Sequence, residues 1–297
     1  RWCGLPACRC WTSWCRWIAT AAATSLFGAP NPGLTVADFT ALGITGVTSG
    51  NLATVIANII ATTNDGSAVD TLAELQALVN ASALQALQDA AAALISQYDG
   101  TNTVPVTADY LSAGVVGVSA SNIAAVNAMV GPLSASATDT RAELQAIVDA
   151  VTALQLAANS AADASAHLTA ANLAALGAAG VDTANEVALF NSIVDQLPYT
   201  AVDTPAEIAA IARIVEAIQL IASGGTANPA LTPADFALIG ITNVNSANLA
   251  GVIAQIAATP DNGSGAANLA DLNNMANLAA AAAAAAAALD VISAYDG

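Results

Sequence analysis

The stretch Thr35–Val55, TVADFTALGITGVTSGNLATV, decides the fold. Thr35 is a side chain that accepts from free N–H groups at a helix start, and Asp38, three residues on, reaches back to it. A short helix is therefore expected to open here. It should close at Gly43, where a glycine takes the left-handed conformation and Ile44 folds back onto the helix. A second start follows at Thr48 with Asn51. Behind it Leu52, Val55, Ile56, Ile59 and Ile60 fall at i, i+3, i+4, i+7 and i+8, one face of an amphipathic helix. No sustained strand-type alternation competes.

Working outward, these features recur. Gly43, Gly114, Gly177 and Gly240 stand at steps of 71, 63 and 63 residues. Asn51, Asn122, Asn185 and Asn248 keep the same steps, as do Val47, Val118, Val181 and Val244. A fixed period of this size marks a tandem array, an architecture used for spacers, scaffolds and binding surfaces. The other short-helix starts are Thr107 with Asp109, one residue tighter, Thr169 with Asn172, and Thr232 with Asp235. Pro233 takes the first helical position, where its missing N–H costs nothing. The other second starts read as Ser119 with Asn122, Asp182 with Asn185, and Asn245 with Asn248.

A third start is the most specific. Thr71 with Glu74, Thr140 with Glu143, and Thr204 with Glu207 are full capping boxes, and Asn268 with Asp271 keeps the chemistry. Behind Thr71 the apolar face Leu75, Leu78, Val79, Leu84, Leu87, Leu94, Ile95 and Tyr98 predicts the longest helix of the unit. The reading is all-α: four tandem three-helix units in an elongated array, at 34–103, 104–165, 166–230 and 231–297. Residues 1–33 are an atypical segment and linker. Units this small have limited cores, so neighbours share buried surface or each unit forms a tight bundle.

Charge narrows the function. Twenty-two Asp and Glu face five Arg and no Lys, a net charge of −17 in 297 residues. Nucleic-acid binding needs clustered cations to displace counterions from phosphate, and a basic membrane-adhesive face needs the same. Neither is expected. Aromatic residues make up 4 % of the chain, too few for a large aromatic-lined cofactor pocket. The longest uninterrupted apolar run, ten alanines from Ala279 to Ala288 flanked by Leu278 and Leu289, is too short for a bilayer core of about 30 Å. No membrane insertion is expected.

Residues 1–17 stand apart. All four Cys (Cys3, Cys8, Cys10, Cys15), all four Trp (Trp2, Trp11, Trp14, Trp17) and three of the five Arg lie here. The spacing is not that of a zinc site. A disulfide-stapled cap is one reading. The stronger one is a GC-rich repeat tail translated out of frame, and fold reasoning sets the segment aside.

Candidate chemistry is sparse. His167 is the single histidine and has no nearby partner, so a repeated nucleophile–base pair has nothing to build on. The capping boxes account for Glu74, Glu143 and Glu207. Calcium is the one cofactor the sequence offers. The loops Asn64-Asp65-Gly66-Ser67 and Asp261-Asn262-Gly263-Ser264 supply oxygen ligands and a glycine turn, with Asp65 and Asp261 as the ligand candidates. Ordinary turn chemistry explains the same residues better.

The strings ADFTALGITGVTSGNLATV (37–55) and VDTLAELQALV (69–79) resemble the alanine-rich helical repeats of very large secreted bacterial surface proteins of the adhesin and biofilm-matrix kind, over residues 34–297. The resemblance implies an extracellular or cell-surface protein whose partners are itself or neighbouring repeats of a longer chain, and it carries no catalytic residues. The expected function is a non-enzymatic spacer, stalk or self-assembling filament or matrix component. The alternative is a helical module that binds a ligand or host protein, for which unit three, with Glu186, Phe190, Pro198 and Tyr199, is the divergent candidate.

Overall fold

The structure is a computed structural model and describes residues 33–62, 68–159, 168–260 and 262–295. Among these the chain is all-helical, with twelve α-helices and no strand. In order they are α1 (Val36–Ala41), α2 (Leu52–Ala61), α3 (Leu72–Ile95), α4 (Thr107–Ser112), α5 (Ile123–Val130), α6 (Arg141–Asn159), α7 (Ala170–Ala175), α8 (Ala184–Val194), α9 (Pro205–Ala222), α10 (Pro233–Leu238), α11 (Leu249–Ala257) and α12 (Leu269–Tyr295). Short 3-10 turns at Ala135–Ala137, Tyr199–Ala201 and Ser264–Ala266 precede α6, α9 and α12.

Local chemistry sets the ends. α1 closes in a Schellman motif: Gly43 N–H donates to the Thr40 carbonyl at 2.9 Å and Ile44 N–H to that of Phe39 at 3.0 Å. Gly114 with Val115, Gly177 with Ala178, and Gly240 with Ile241 close α4, α7 and α10 in the same way. These four glycines sit at φ of 77°, 74°, 88° and 90°, where a side chain would be strained. The residue that follows each glycine is buried, and Phe39, Tyr110, Leu173 and Phe236, whose carbonyls accept its N–H, are fully buried.

Contacts divide the chain into two compact units, Arg1–Ala90 and Ala91–Gly297, the division falling within α3. In the first, Phe39, Ile44, Val55, Leu75 and Val79 form a small core flanked by half-buried Leu34, Leu42 and Ile59. In the second, one core runs without a break from Ala92 to Ala279. There α6 packs on α5 before it and on α7 and α8 after it, and α9 packs on α8 before it and on α11 after it. Helices α6 and α9 thus bury two sides. Ten of the eighteen residues of α9 are buried, among them Ile211, Ile214, Ile218 and Ile221.

Several expectations need correction. Ile60 is 73 % exposed, so it lies off the buried face of α2, and Leu84, Leu87 and Leu94 are exposed on α3. The buried apolar residues of α3 are Leu75, Val79, Ala92 and Ile95, with the Ser82 hydroxyl buried among them. The N-cap of α4 is Val106 rather than Thr107. Its N–H donates to Asp109 Oδ2 at 2.7 Å, so half the box survives without a capping hydroxyl. The N-cap of α8 is Thr183 rather than Asp182: Glu186 N–H donates to its Oγ1 at 3.3 Å, and its own N–H to Glu186 Oε2 at 2.9 Å.

Candidate functional site

The recurring polar residues hold backbone. Asn51, Asn122 and Asn248 are buried, each clasping the loop ahead of its helix. The Asn51 carboxamide accepts from Thr48 N–H at 2.7 Å and donates to the Gly46 carbonyl at 2.8 Å. Asn122 does so with Ser119 and Gly117, and Asn248 with Asn245 and Asn243. A side-chain amide offers one acceptor and two donors, which suits it to tie both edges of a loop. The fourth tracer departs from this: Asn185 Nδ2 donates at 2.5 Å to the carbonyl of Asn262, far along the chain.

The capping boxes close as two bonds each. Thr71 N–H donates to Glu74 Oε2 at 2.9 Å and Glu74 N–H to Thr71 Oγ1 at 3.2 Å. Thr140 with Glu143 and Thr204 with Glu207 match within 0.1 Å. In the Asn268 copy, Asp271 N–H donates to Asn268 Oδ1 at 2.9 Å. Hydrogen bonds from Asp70 first and then from Thr71 hold the Glu74 carboxyl below the usual range, and Asp70, beside it, is pushed up. These carboxylates are occupied in caps.

Two further amide clamps carry no obvious sequence signal. Within α5, Asn127 Oδ1 accepts from the buried Tyr110 hydroxyl at 2.7 Å and its Nδ2 donates to the Pro105 carbonyl at 2.9 Å. Within α8, Asn191 Oδ1 accepts from Leu168 N–H at 2.8 Å and its Nδ2 donates to the Leu168 carbonyl at 2.9 Å. Each pins the residues ahead of a short helix. An unpaired polar group inside the core would cost more than the bond returns, so these amides are stringent. Their period slips by one residue against the glycine period, which hides them from a search at fixed steps. Gln76 clamps Thr45 and Gln145 clamps Val116 through both amide atoms.

Both arginines among the described residues are also engaged. Arg141 Nε donates at 2.8 Å to the carbonyl of Gly114. Arg213, on α9, pairs with Asp235 on α10. Burial pushes the Tyr110 and Tyr199 phenols up. Among the described residues Tyr295 is the aromatic that stands free, 93 % exposed.

A surface cleft of about 480 Å³ is lined by Asn185, Glu186, Glu216, Gln219, Asn262 and Gly263. Most of its lining falls in 166–230, the stretch the sequence marks as divergent, and Asn262 and Gly263 close it from 231–297. The Glu186 carboxylate is already taken by the Thr183 N–H and hydroxyl. Asp65, Asp261 and His167 lie outside the described residues, as do Cys3, Cys8, Cys10 and Cys15. Of the second candidate calcium loop, Asn262–Ser264 is described: Ser264 N–H donates to Asn262 Oδ1 at 3.1 Å and Gly263 has φ 72°, an ordinary turn. Among the described residues no three His, Cys, Asp or Glu gather as a metal site would need.

Among the described residues two helices are long and apolar enough to cross a membrane by length and composition, α3 with mean hydropathy 1.2 and α12 with 1.7 over their best windows. Counting the uninterrupted apolar run missed this, because α12 continues through Asn277 and Asp290. Those residues, with Asp271, Asn273 and Asn274, are costly in hydrocarbon.

Comparison of this chain with protein-family models, with curated proteins and with solved structures gives no match.

Proposed function

We propose that this chain is a non-enzymatic structural repeat region, an acidic helical spacer or matrix component outside a bacterial cell. It is built from four units, α1–α3, α4–α6, α7–α9 and α10–α12. Each unit adds a fixed increment, and nearest-neighbour packing stiffens the array. Net charge of −17 keeps chains apart and soluble.

The observation that carries this reading is what the periodic residues do. The tracer glycines turn the chain at helix ends, three of the four tracer asparagines clasp loops, and the Thr–Glu pairs cap helices. Selection for a repeated backbone geometry explains each of them. The alternative, a ligand-binding module, calls for exposed aromatic or Arg anchors. Phe39, Phe190, Phe236 and Tyr110 are fully buried and Arg141 and Arg213 are bonded, which favours the structural reading.

Small-angle scattering on this chain, and on one lengthened by a further copy of residues 101–297, tests the proposal. A spacer keeps its cross-section while its maximum dimension grows in proportion to the added units. Growth of the radius of gyration as about the 0.38 power of chain length, as in a compact globule, would sink it.

A further inference from the structure

Gln219 on α9 is 7 % exposed, and its Nε2 donates to the Ala266 carbonyl at 2.8 Å. Its Oε1 accepts from no donor among the described residues. An acceptor on so deeply buried a side chain calls for a donor. Gln219 lines the cleft that Gly180, Glu216 and Gly263 also line. Glu216 is exposed and stands one turn before Gln219 on α9. Its carboxylate has no hydrogen-bond or ion-pair partner among the described residues either.

The repeat shows what fills this place elsewhere. The step that carries Thr140 to Thr204 carries Gln155 to Gln219, and the step from Thr204 to Asn268 carries Tyr199 to Gly263. The backbone agrees: Val202 N–H donates to the Tyr199 carbonyl at 2.9 Å, and Ala266 N–H to that of Gly263 at 3.1 Å. At the earlier junction Tyr199 packs half-buried against the core. Burial raises its phenol, and the Gln155 side chain beside the hydroxyl pulls it back. At the later junction Gly263 brings no ring, and a Cβ there would strike Gln219 Oε1. Gly180 is open in a similar way. Gly46 and Gly117, which it matches, need glycine for φ of 88° and 87°. Gly180 has no left-handed φ, yet a Cβ there would strike the Glu216 carboxylate.

We propose that this cleft receives the guanidinium of an arginine side chain carried by a partner protein. The place of a ring suits a flat group, and a guanidinium is flat. Its N–H donors form a fork, so one edge pairs with the Glu216 carboxylate while another donor reaches Gln219 Oε1. The two acceptors stand at i and i+3, on one face of α9. A lysine ammonium is a point donor with no plane to fill the slot. Calcium needs about six to eight converging oxygens, and among the described residues no three acidic side chains gather. The cleft of about 480 Å³ has the size of a ligand site. A protein side chain is the source because one fills the same place at the earlier junction. Net charge of −17 draws a cationic partner in. The positions that match Glu216 hold Ala83, Thr152 and Ala280, so the site belongs to unit three alone. It goes beyond the spacer reading, adding one docking point to a structural array, and stands whether or not the array is a spacer.

The test is an NMR titration of the nitrogen-15-labelled full chain with N-acetyl-arginine methylamide, read at the Gln219 side-chain amide and the backbone amides of Gly180 and Gly263. The matching lysine and citrulline amides are run beside it. The arginine probe should shift these signals saturably, with a Kd on the order of millimolar for one side chain. The lysine probe, charged but not flat, and the citrulline probe, flat but neutral, should each bind about tenfold more weakly or worse. E216Q should weaken the arginine probe about tenfold, and Gly180→Ala, which pushes that carboxylate aside, should weaken it as well. Circular dichroism checks that both variants keep their helix content. Asp149→Asn removes the same charge from an exposed acid of α6 and should change nothing. No saturable shift overturns the proposal. An equal response to lysine, or E216Q binding as wild type does, overturns it in favour of general attraction to an acidic chain. Calcium chloride that moves the same signals and displaces the arginine probe overturns it in favour of a metal site. Tighter binding of free arginine than of its blocked amide overturns the partner-protein source.

Discussion

The α1–α2 pair and the α10–α11 pair occupy equivalent positions of the repeat and share their core residues Phe39 and Phe236, Val55 and Val252, yet their cores close to different degrees. Phe39 and Phe236 are fully buried, as are Val55 and Val252. The difference lies on the outer flank, where Ile59 is half-buried and Ile256 fully buried. Burial in a repeat is therefore a property of the junction as much as of the unit. The largest effect should appear there. Ile256→Ala should cost about 2–5 kcal/mol as a cavity opens in a packed core. Ile59→Ala should cost about 1 kcal/mol, because less area leaves water when it folds. Denaturant melts, with hydrogen exchange locating the loss in α11 or α2, measure both, and equal costs would break the comparison.

Glycine substitutions sharpen it from the other direction. At Gly43 and Gly240 an added Cβ meets nothing within 4 Å, so the penalty is purely the left-handed backbone. Gly43→Ala and Gly240→Ala should each cost about 1–2 kcal/mol, the same in both regions. A much larger loss at Gly240 would mean that the neighbouring helix bears on this turn as well. A smaller effect is expected at the caps. Thr204→Ala should cost about 0.5–2 kcal/mol in melts, and Thr204→Ser should restore most of it.

What the sequence made legible follows from range. Caps, glycine turns and the helix they bracket depend on residues three to five apart, so Thr71 with Glu74 and Gly43 with Ile44 could be read directly. The exposure of Leu84 and Leu87 could not, because an apolar stripe states which face is greasy and not whether a neighbour covers it. Asn127 and Asn191 were invisible for a related reason: their partners Pro105 and Leu168 lie more than twenty residues back. Glu186 is one of the residues that mark unit three as divergent. It is the N3 residue of a box that replaced the Asn clasp, freeing Asn185 to reach Asn262.

The smallest effect isolates one charge. Asp38 and Asp235 correspond, and both cap a short helix by accepting from a Thr N–H, at 2.8 and 2.7 Å. Hydrogen bonds from Thr35 hold the Asp38 carboxyl below its usual range. Burial would raise that of Asp235, but bonds from Thr232 and then Arg213 outweigh it and it too is lowered. A carboxyl with a depressed folded value stabilises the fold above its unfolded value of about 4 and loses that contribution as pH falls through the folded value. Arg213 is 39 % exposed, so solvent screens the pair and Arg213→Met should cost no more than about 1 kcal/mol at neutral pH. The melting-temperature gap between wild type and Arg213→Met should narrow as acid protonates Asp235, and should narrow with salt as well. Asp38, held low by its Thr35 hydrogen bonds, supplies the control: Asp38→Asn should leave that gap unchanged. A gap that persists undiminished in acid would mean that Arg213 acts through the packing of its apolar stem against α10 rather than through its charge.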